Sequence, residues 1–159
     1  MSEIVEAKTE EQVEQVRNLF AEYRAQLPVD YCARGFDGEL AGLPGDYAPP
    51  KGCLLLAMVV GQPVGCVGLR PFPVAGVCEM KRLYVRPPFR GGKVGRKLVE
   101  RVLEMGRELG YSSLRIDTHP PTMQAAVALY KKLGFREISA APLEPYEGLL
   151  YMELVLGPG

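Results

Sequence analysis

Apolar residues along this chain follow two rhythms, one of three and four and one of two, and the switches between them predict its elements. Residues 4–7 read as a short opening strand. Thr9 and Gln12 form the T-x-x-Q pattern of a capping box, and Val13, Val16, Phe20, Tyr23 and Leu27 mark the buried face of a helix that Pro28 closes. Glu10 and Glu11 sit favourably at its positive end. Residues 29–51 are rich in Gly and Pro and are expected to be irregular, with one short helix over 36–40, and a connection of that length is usually functional. Strands are predicted over 53–60 and 64–70, joined at hairpin distance by Gly61-Gln62-Pro63, and over 77–85, which makes an antiparallel meander. Pro87 and Pro88 stop that third strand, after which Val94, Leu98, Val102, Met105 and Leu109 mark a long amphipathic helix ended by Gly110. A strand over 113–118 follows, then Thr122 as N-cap of a helix over 123–133 ended by Gly134, then strands over 135–138 and 149–156 around a Pro-rich loop. The order predicts one α+β domain over 1–159 with a mixed sheet.

A chain of 159 residues can bury roughly two-thirds of its unfolded surface without staples. Its 19 basic and 19 acidic residues cancel, but not locally. Between Lys81 and Arg101 stand Lys81, Arg82, Arg86, Arg90, Lys93, Arg96, Lys97 and Arg101 against Glu100 alone, a field suited to a polyanionic ligand. Overall neutrality argues against a general nucleic-acid binder. Cys32, Cys53, Cys66 and Cys78 form no C-x-x-C pair and the chain has 1 histidine, so no metal set is expected and the thiols are read as reduced. Cys53 and Cys66 lack a plausible His partner for nucleophilic work and are read as small core residues. The opening M-S-E-I-V-E-A-K has no sustained apolar core and no apolar run reaches the length of a membrane span, so a cytoplasmic protein without a membrane partner is expected.

The most informative stretch is residues 79–95, E-M-K-R-L-Y-V-R-P-P-F-R-G-G-K-V-G: an apolar strand, a proline brake, and a glycine-rich turn entering a helix. The first N–H groups of a helix have no internal partner, and glycines let a phosphate approach the bare backbone, so a pyrophosphate fits there. A P-loop is excluded because no G-x-x-x-x-G-K-[ST] occurs, and a dinucleotide-binding fold because the preceding strands form a meander rather than a parallel series.

R-G-G-K-V-G-R before the long helix and A-A-V-A-L-Y-K-K-L-G-F after the next strand together resemble the GNAT-family N-acetyltransferases, the acetyl-CoA-dependent superfamily. The resemblance spans roughly residues 53–156, and the N-terminal helix more loosely. The family's pyrophosphate loop, Q/R-x-x-G-x-G/A, falls on Arg90, Gly91, Gly92, Lys93, Val94 and Gly95. Arg90 and Gly95 match, whereas Lys93 replaces the first motif glycine and a glycine stands one position earlier. Either the turn shifts or Lys93 takes a backbone conformation costly for a residue with a Cβ. The second motif, A-x-x-L-Y-x-x-x-G-F, matches at Ala126, Leu129, Tyr130, Gly134 and Phe135, with Met123 where many members carry asparagine.

The resemblance implies a twisted, mostly antiparallel sheet flanked by helices, with acetyl-CoA as cosubstrate and no metal. It implies that backbone groups of Leu83 and Val85, on either side of Tyr84, pair with the pantetheine arm. Main-chain N–H groups from Gly91, Gly92, Lys93, Val94, Gly95 and Arg96 would hold the pyrophosphate, with Arg90, Lys93 and Arg96 as supporting cations; Lys97 is left between the adenosine 3′-phosphate and water. Tyr130 would protonate the departing thiolate, and Glu79 would take a proton from a primary amine that attacks directly in a ternary complex. Each has a plainer alternative: Glu79 as an ion-pair partner, Tyr130 as a core aromatic, and His119 as a loop residue rather than a catalyst. The competing function is a non-catalytic acyl-CoA-binding sensor. The acceptor, whether small amine, amino acid or peptide, would meet residues 23–51 and 140–149, where Glu22, Asp30, Tyr31, Phe36, Asp37, Glu39, Asp46, Tyr47, Glu144, Tyr146 and Glu147 make either a rim for a cation or a merely polar surface. Pairing of the closing strands into a homodimer is left open.

Overall fold

The computed structural model describes residues 2–26, 36–120, 123–143, 145–146 and 148–157. Leu27, Pro28, Asp30, Tyr31, Cys32, Thr122, Glu144 and Glu147, named above, lie outside the described residues. Seven strands, β1 (Ser2–Glu6), β2 (Cys53–Val59), β3 (Gln62–Pro71), β4 (Val77–Val85), β5 (Ser113–Thr118), β6 (Arg136–Ile138) and β7 (Leu150–Val155), form one sheet in the order β1-β2-β3-β4-β5-β7-β6. Every neighbouring pair is antiparallel except β4 and β5. Helices α1 (Glu10–Gln26) and α2 (Phe36–Ala41) cover one face of the sheet, and α3 (Val94–Glu108) and α4 (Gln124–Lys132) the other.

Strand β2 shows how the sequence builds both layers. Cys53, Leu55 and Ala57 enter the core beneath α3, while Leu54 and Leu56 enter the core beneath α1, so a strand buried on both faces reads as a nearly unbroken apolar run. The capping box at α1 is made: Gln12 N–H donates to Thr9 Oγ1 at 3.1 Å and Thr9 N–H returns to Gln12 Oε1 at 3.1 Å. At α4 the N-cap is Met123, whose side chain makes no capping hydrogen bond. Cys53, Cys66 and Cys78 are buried, and burial pushes the thiols of Cys53 and Cys78 up to about 12 and that of Cys66 up as well, which suits core residues rather than nucleophiles. Among the described residues no helix is long and apolar enough to cross a membrane.

Two irregularities of β4 shape everything near it. Arg82 has a left-handed backbone, φ 62, and the β3–β4 register slips there, so that Arg82 and Leu83 together stand opposite Val67. Before this bulge Cys78 and Met80 face α3; after it Leu83 and Val85 do, while Tyr84 turns to the α1 side. Glu39 of α2 grips the displaced guanidinium through Nε at 3.0 Å and Nη2 at 3.1 Å, and Arg82 stacks over Phe36 at 4.0 Å. The second irregularity is that the parallel ladder with β5 joins Val77 to Ser113, Cys78 to Leu114 and Glu79 to Arg115 and then ends. Beyond it the strands part.

Tyr47, whose hydroxyl donates to Glu39 at 3.1 Å, lays its ring against Gly68, and its backbone passes close to Gly52. A Cβ on Gly52 would stand 2.5 Å from the Leu69 carbonyl oxygen, 2.8 Å from that of Asp46 and 2.9 Å from the Tyr47 carbonyl carbon, all backbone atoms. Gly52→Ala is therefore expected to lower stability by about 3 kcal/mol, read as a shifted urea midpoint at unchanged m.

Candidate functional site

The parting of β4 from β5 leaves the outer edge of β4 open from Met80 onward. Arg86 N–H turns back to the Val64 carbonyl at 2.8 Å, so by strand alternation the N–H and C=O groups of Leu83 and Val85 face away from β3 and into the gap. A cavity of about 610 Å³ opens against them. Its walls are Leu83, Tyr84 and Val85 of β4, Phe89 to Lys93, Gly95 and Arg96 at the mouth of α3, Tyr23 and Gln26 at the end of α1, and Met123, Ala125, Ala126, Leu129 and Lys132 of α4 and its cap.

The glycine turn resolves the question that Lys93 poses. Gly91 takes the left-handed conformation, φ 86, and Lys93 stands as the N-cap of α3 at φ −104 and ψ 8, so the turn has moved to the glycine available and Lys93 carries no such strain. No side chain caps α3, and its first recorded backbone bond runs from Lys97 N–H to the Lys93 carbonyl at 2.9 Å. The preceding N–H groups are those a helix leaves without internal partners. A Cβ on Gly91 or Gly92 would meet no described residue within 4 Å, and both glycines line the cavity. Val94 is the exception among the loop residues, its side chain buried in the core beneath the helix.

The cations divide into tied and available. Arg90 donates through Nε to the Val85 carbonyl at 2.7 Å and through Nη2 to Gln26 Oε1 at 2.9 Å, and it lies 5.5 Å from the Tyr84 ring centre. It thereby clamps the end of β4 to the end of α1. Lys97, offered above to a phosphate or to water, is instead bound to the Ser2 carbonyl and hydroxyl at 3.2 and 3.1 Å, on the far side of α3 from the cavity. Lys93 and Arg96 line the cavity, Arg96 with only an exposed contact to Glu100 at 3.6 Å, and so does Lys132, whose position the helical spacing alone did not single out.

At the deep end a second, smaller cavity of about 80 Å³ shares Tyr23, Leu83, Met123 and Ala126 with the first. Tyr130 lines it. The ring is buried beside Phe135, and among the described residues its hydroxyl has no hydrogen-bond partner. Burial, with smaller contributions from Tyr23 and Asp117, pushes that hydroxyl above its ordinary value of 10.0, so the phenol stays protonated at neutral pH. Met123 folds back so that Thr118 Oγ1 donates to its sulfur at 3.2 Å and the His119 N–H approaches it at 3.5 Å.

Glu79 is elsewhere. Its carboxylate accepts from Arg70 Nε at 2.7 Å on the α1 side of the sheet and lines neither cavity. The acidic and aromatic rim expected around the acceptor is also reorganised. Phe36 and Tyr47 are core residues, Glu22 pairs with Arg86 and Asp37 with Arg24. Burial alone would raise the Glu39 carboxyl, but Arg82, Arg70 and the Tyr47 hydroxyl outweigh it and hold Glu39 below its ordinary 4.5. These acids are neutralised by arginines rather than offered to a ligand. The carboxylate that does line the inner cavity is Asp117 of β5, held by Lys81 Nζ at 3.1 and 3.4 Å. Its alternation with Ile116 marked it as facing away from the core, but only the tertiary fold brings it to Tyr130. Among the described residues no group of three or more His, Cys, Asp or Glu is placed to hold a metal ion.

Residues 9–135 match the model of the acetyltransferase (GNAT) family. An uncharacterized N-acetyltransferase of Schizosaccharomyces pombe is 38% identical over 148 residues, which cover 92% of this chain and 90% of the relative. The crystal structure of a GNAT-family acetyltransferase from Staphylococcus aureus superposes with a TM-score of 0.80 at 20% identity, over 98% of this chain and 99% of that one. The structure of yncA from Salmonella typhimurium, a putative acetyltransferase with its cofactor acetyl-CoA, superposes with a TM-score of 0.74 at 18% identity, over 98% and 94%. The family model spans most of the chain and the relative matches it nearly end to end, so the chain belongs to the acetyltransferase (GNAT) family.

Proposed function

We propose that this protein transfers the acetyl group of acetyl-CoA to a primary amine by direct attack in a ternary complex. The observation that carries this reading is the adjacency of the two cavities, which share Tyr23, Leu83, Met123 and Ala126 and have the bare glycine turn in the wall of one and Tyr130 in the wall of the other. The pyrophosphate rests on the N–H groups of Gly91, Gly92, Lys93, Val94, Gly95 and Arg96, where helix polarity favours an anion. Lys93, Arg96 and Lys132 supply the countercharge, while Arg90 holds the strand and helix ends that form the wall. The pantetheine amides pair with the Leu83 and Val85 backbone, extending the sheet at the edge β5 vacates. That arrangement directs the thioester toward Tyr130, which protonates the departing thiolate. The bound acetyl-CoA of the Salmonella relative supports the cosubstrate. Glu79, engaged by Arg70, acts in this reading by fixing that arginine rather than by taking the proton itself.

Calorimetric titration with CoA, followed by thiol release from acetyl-CoA across a panel of amines, tests the reading. Binding with release on at least one amine is expected. Failure of CoA to bind would overturn it, and binding without release on any amine would favour a sensor.

Two variants separate the parts. Gly92→Ala meets no neighbour and needs no left-handed backbone, so melting is expected to stay within about 1 °C of the parent. Its added methyl keeps phosphate from the backbone, and the CoA Kd is expected to rise about tenfold. Tyr130→Phe keeps the ring and removes the proton donor, so kcat should fall by about 10- to 100-fold with little change in KM for acetyl-CoA.

A further inference from the structure

The inner cavity passes through the sheet. Met80, Leu83 and Ile116 belong to the core on the α3 and α4 side, where Tyr130 also stands. Lys81 and Asp117, the neighbours of Met80 and Ile116, project by alternation to the opposite side, yet they line the same cavity. They are one step beyond the last rung of the parallel ladder on that side, Glu79 with Arg115, and their side chains bridge the two strands where the backbones part. With the acyl donor seated on the α3 and α4 side, an acceptor arrives from the other, where this pair stands in the cavity wall beside Arg82.

Charge balance then restricts what the acceptor is. Lys81 is only 13% exposed and Asp117 is 32% exposed, and Lys81 has Asp117 as its recorded ion-pair partner. Among the described residues, the other charges on that side are already engaged: Arg82 and Arg70 with Glu39, Arg70 with Glu79, and the buried Arg115 guanidinium with the Ala141 and Ser139 carbonyls and the face of Phe72. A simple alkylammonium bound at Asp117 would leave two cations, its own and that of Lys81, sharing one carboxylate in a poorly hydrated site, an expensive state. An acceptor carrying its own carboxylate beside the amine avoids this, because its ammonium meets Asp117 while its carboxylate meets Lys81, and every charge remains paired.

We propose that Lys81 and Asp117 form the acceptor-binding pair and that the acceptor is a free amino acid, its α-carboxylate held by Lys81 and its α-ammonium by Asp117. This rests on the acetyl-transfer reading above. Lys81 contacts both Asp117 oxygens, yet a carboxylate has about four acceptor positions, so Asp117 retains capacity for the substrate. The nitrogen loses two protons in all. The first passes to the Asp117 carboxylate, which returns it to solvent. The freed lone pair forms the N–C bond, the C–S bond breaks, and the sulfur takes the Tyr130 proton. Tyr130 is restored by the second proton from nitrogen, delivered through solvent.

The test compares free L-amino acids with the corresponding α-amides, which stand in for peptide N-termini, using acetyl-CoA as donor. The wild type should prefer the best free amino acid over its amide by at least about 30-fold in kcat/KM. Lys81→Met should bring that ratio close to one by raising KM for the free amino acid, with Lys81→Arg retaining most of the preference and serving as the fold control. Asp117→Asn should lower kcat on acids and amides alike by about 100-fold, with partial recovery in Asp117→Glu. Equal wild-type rates on acids and amides, an unchanged ratio in Lys81→Met, or full turnover in Asp117→Asn would overturn the assignment while leaving acetyl transfer intact. Absence of turnover on every amine would instead sink the transfer reading. In that case, calorimetric binding of free amino acids over amides to the CoA-loaded protein would uphold the binding pair, and absence of such binding would overturn it.

Discussion

The grip of Glu39 on Arg82 is the constraint on which the cleft depends. A left-handed arginine inside a strand costs on the order of 1–3 kcal/mol. The bidentate carboxylate pair and the stack on Phe36 offset that cost, the stack alone by about 0.5–2 kcal/mol. What the bulge achieves is a change of phase. It turns Leu83 and Val85 toward α3 and aims their backbone groups into the gap, while Tyr84 swings the other way to meet Glu22 and Gln26 of α1. Without the inserted residue the alternation of β4 would place Arg82 beneath α3 and Leu83 among the arginines.

The same small helix α2 therefore supports both sides of the sheet. Glu39 holds the strand that borders the larger cavity, and with Arg70, Glu79 and Tyr47 it forms a matched network on the side from which an acceptor would approach. Such networks add little net stability, since desolvation consumes most of what pairing returns. Their consequence is geometric, because each arginine is fixed in position and none of these acids is free to attract cations. Among the described residues, the charge that lines the cavities outside that network and the Arg90 clamp is Lys93, Lys132 and Arg96, the last 3.6 Å from Glu100, on one side and Lys81 with Asp117 on the other.

Much of this was legible in the residues. The strand 113–118 agrees with Ser113–Thr118 at both ends, the capping box of Thr9 and Gln12 forms, and the helix from Val94 begins where the glycine turn says it should. These are local signals, set by periodicity and by backbone groups seeking partners within a few positions. The bulge left a local trace too: the apolar phase of β4 breaks between Met80 and Leu83, and a strict alternation cannot pass through Cys78, Met80, Leu83 and Val85. What remained hidden was non-local. Phe36 and Tyr47 sit in a stretch rich in Gly and Pro, and only the packing of α1 against the sheet turns them into core residues. The partners that neutralise Glu39, Glu79 and Asp117 lie on other elements, as do the residues that make Asp117 a neighbour of Tyr130. At Lys93 the sequence left two alternatives, a shifted turn or a strained lysine, and the structure takes the first, with the left-handed residue at Gly91, two positions earlier.

The central claim is that backbone exposed by the bulge and by the glycine turn seats the cofactor, and amide hydrogen exchange measured with and without CoA tests it most directly. Added protection is expected at the amides of Leu83 and Val85 and from Gly91 to Arg96, with the β2–β3 ladder unchanged. Protection confined to other segments, with those amides exchanging at the same rate when CoA is bound, would contradict it.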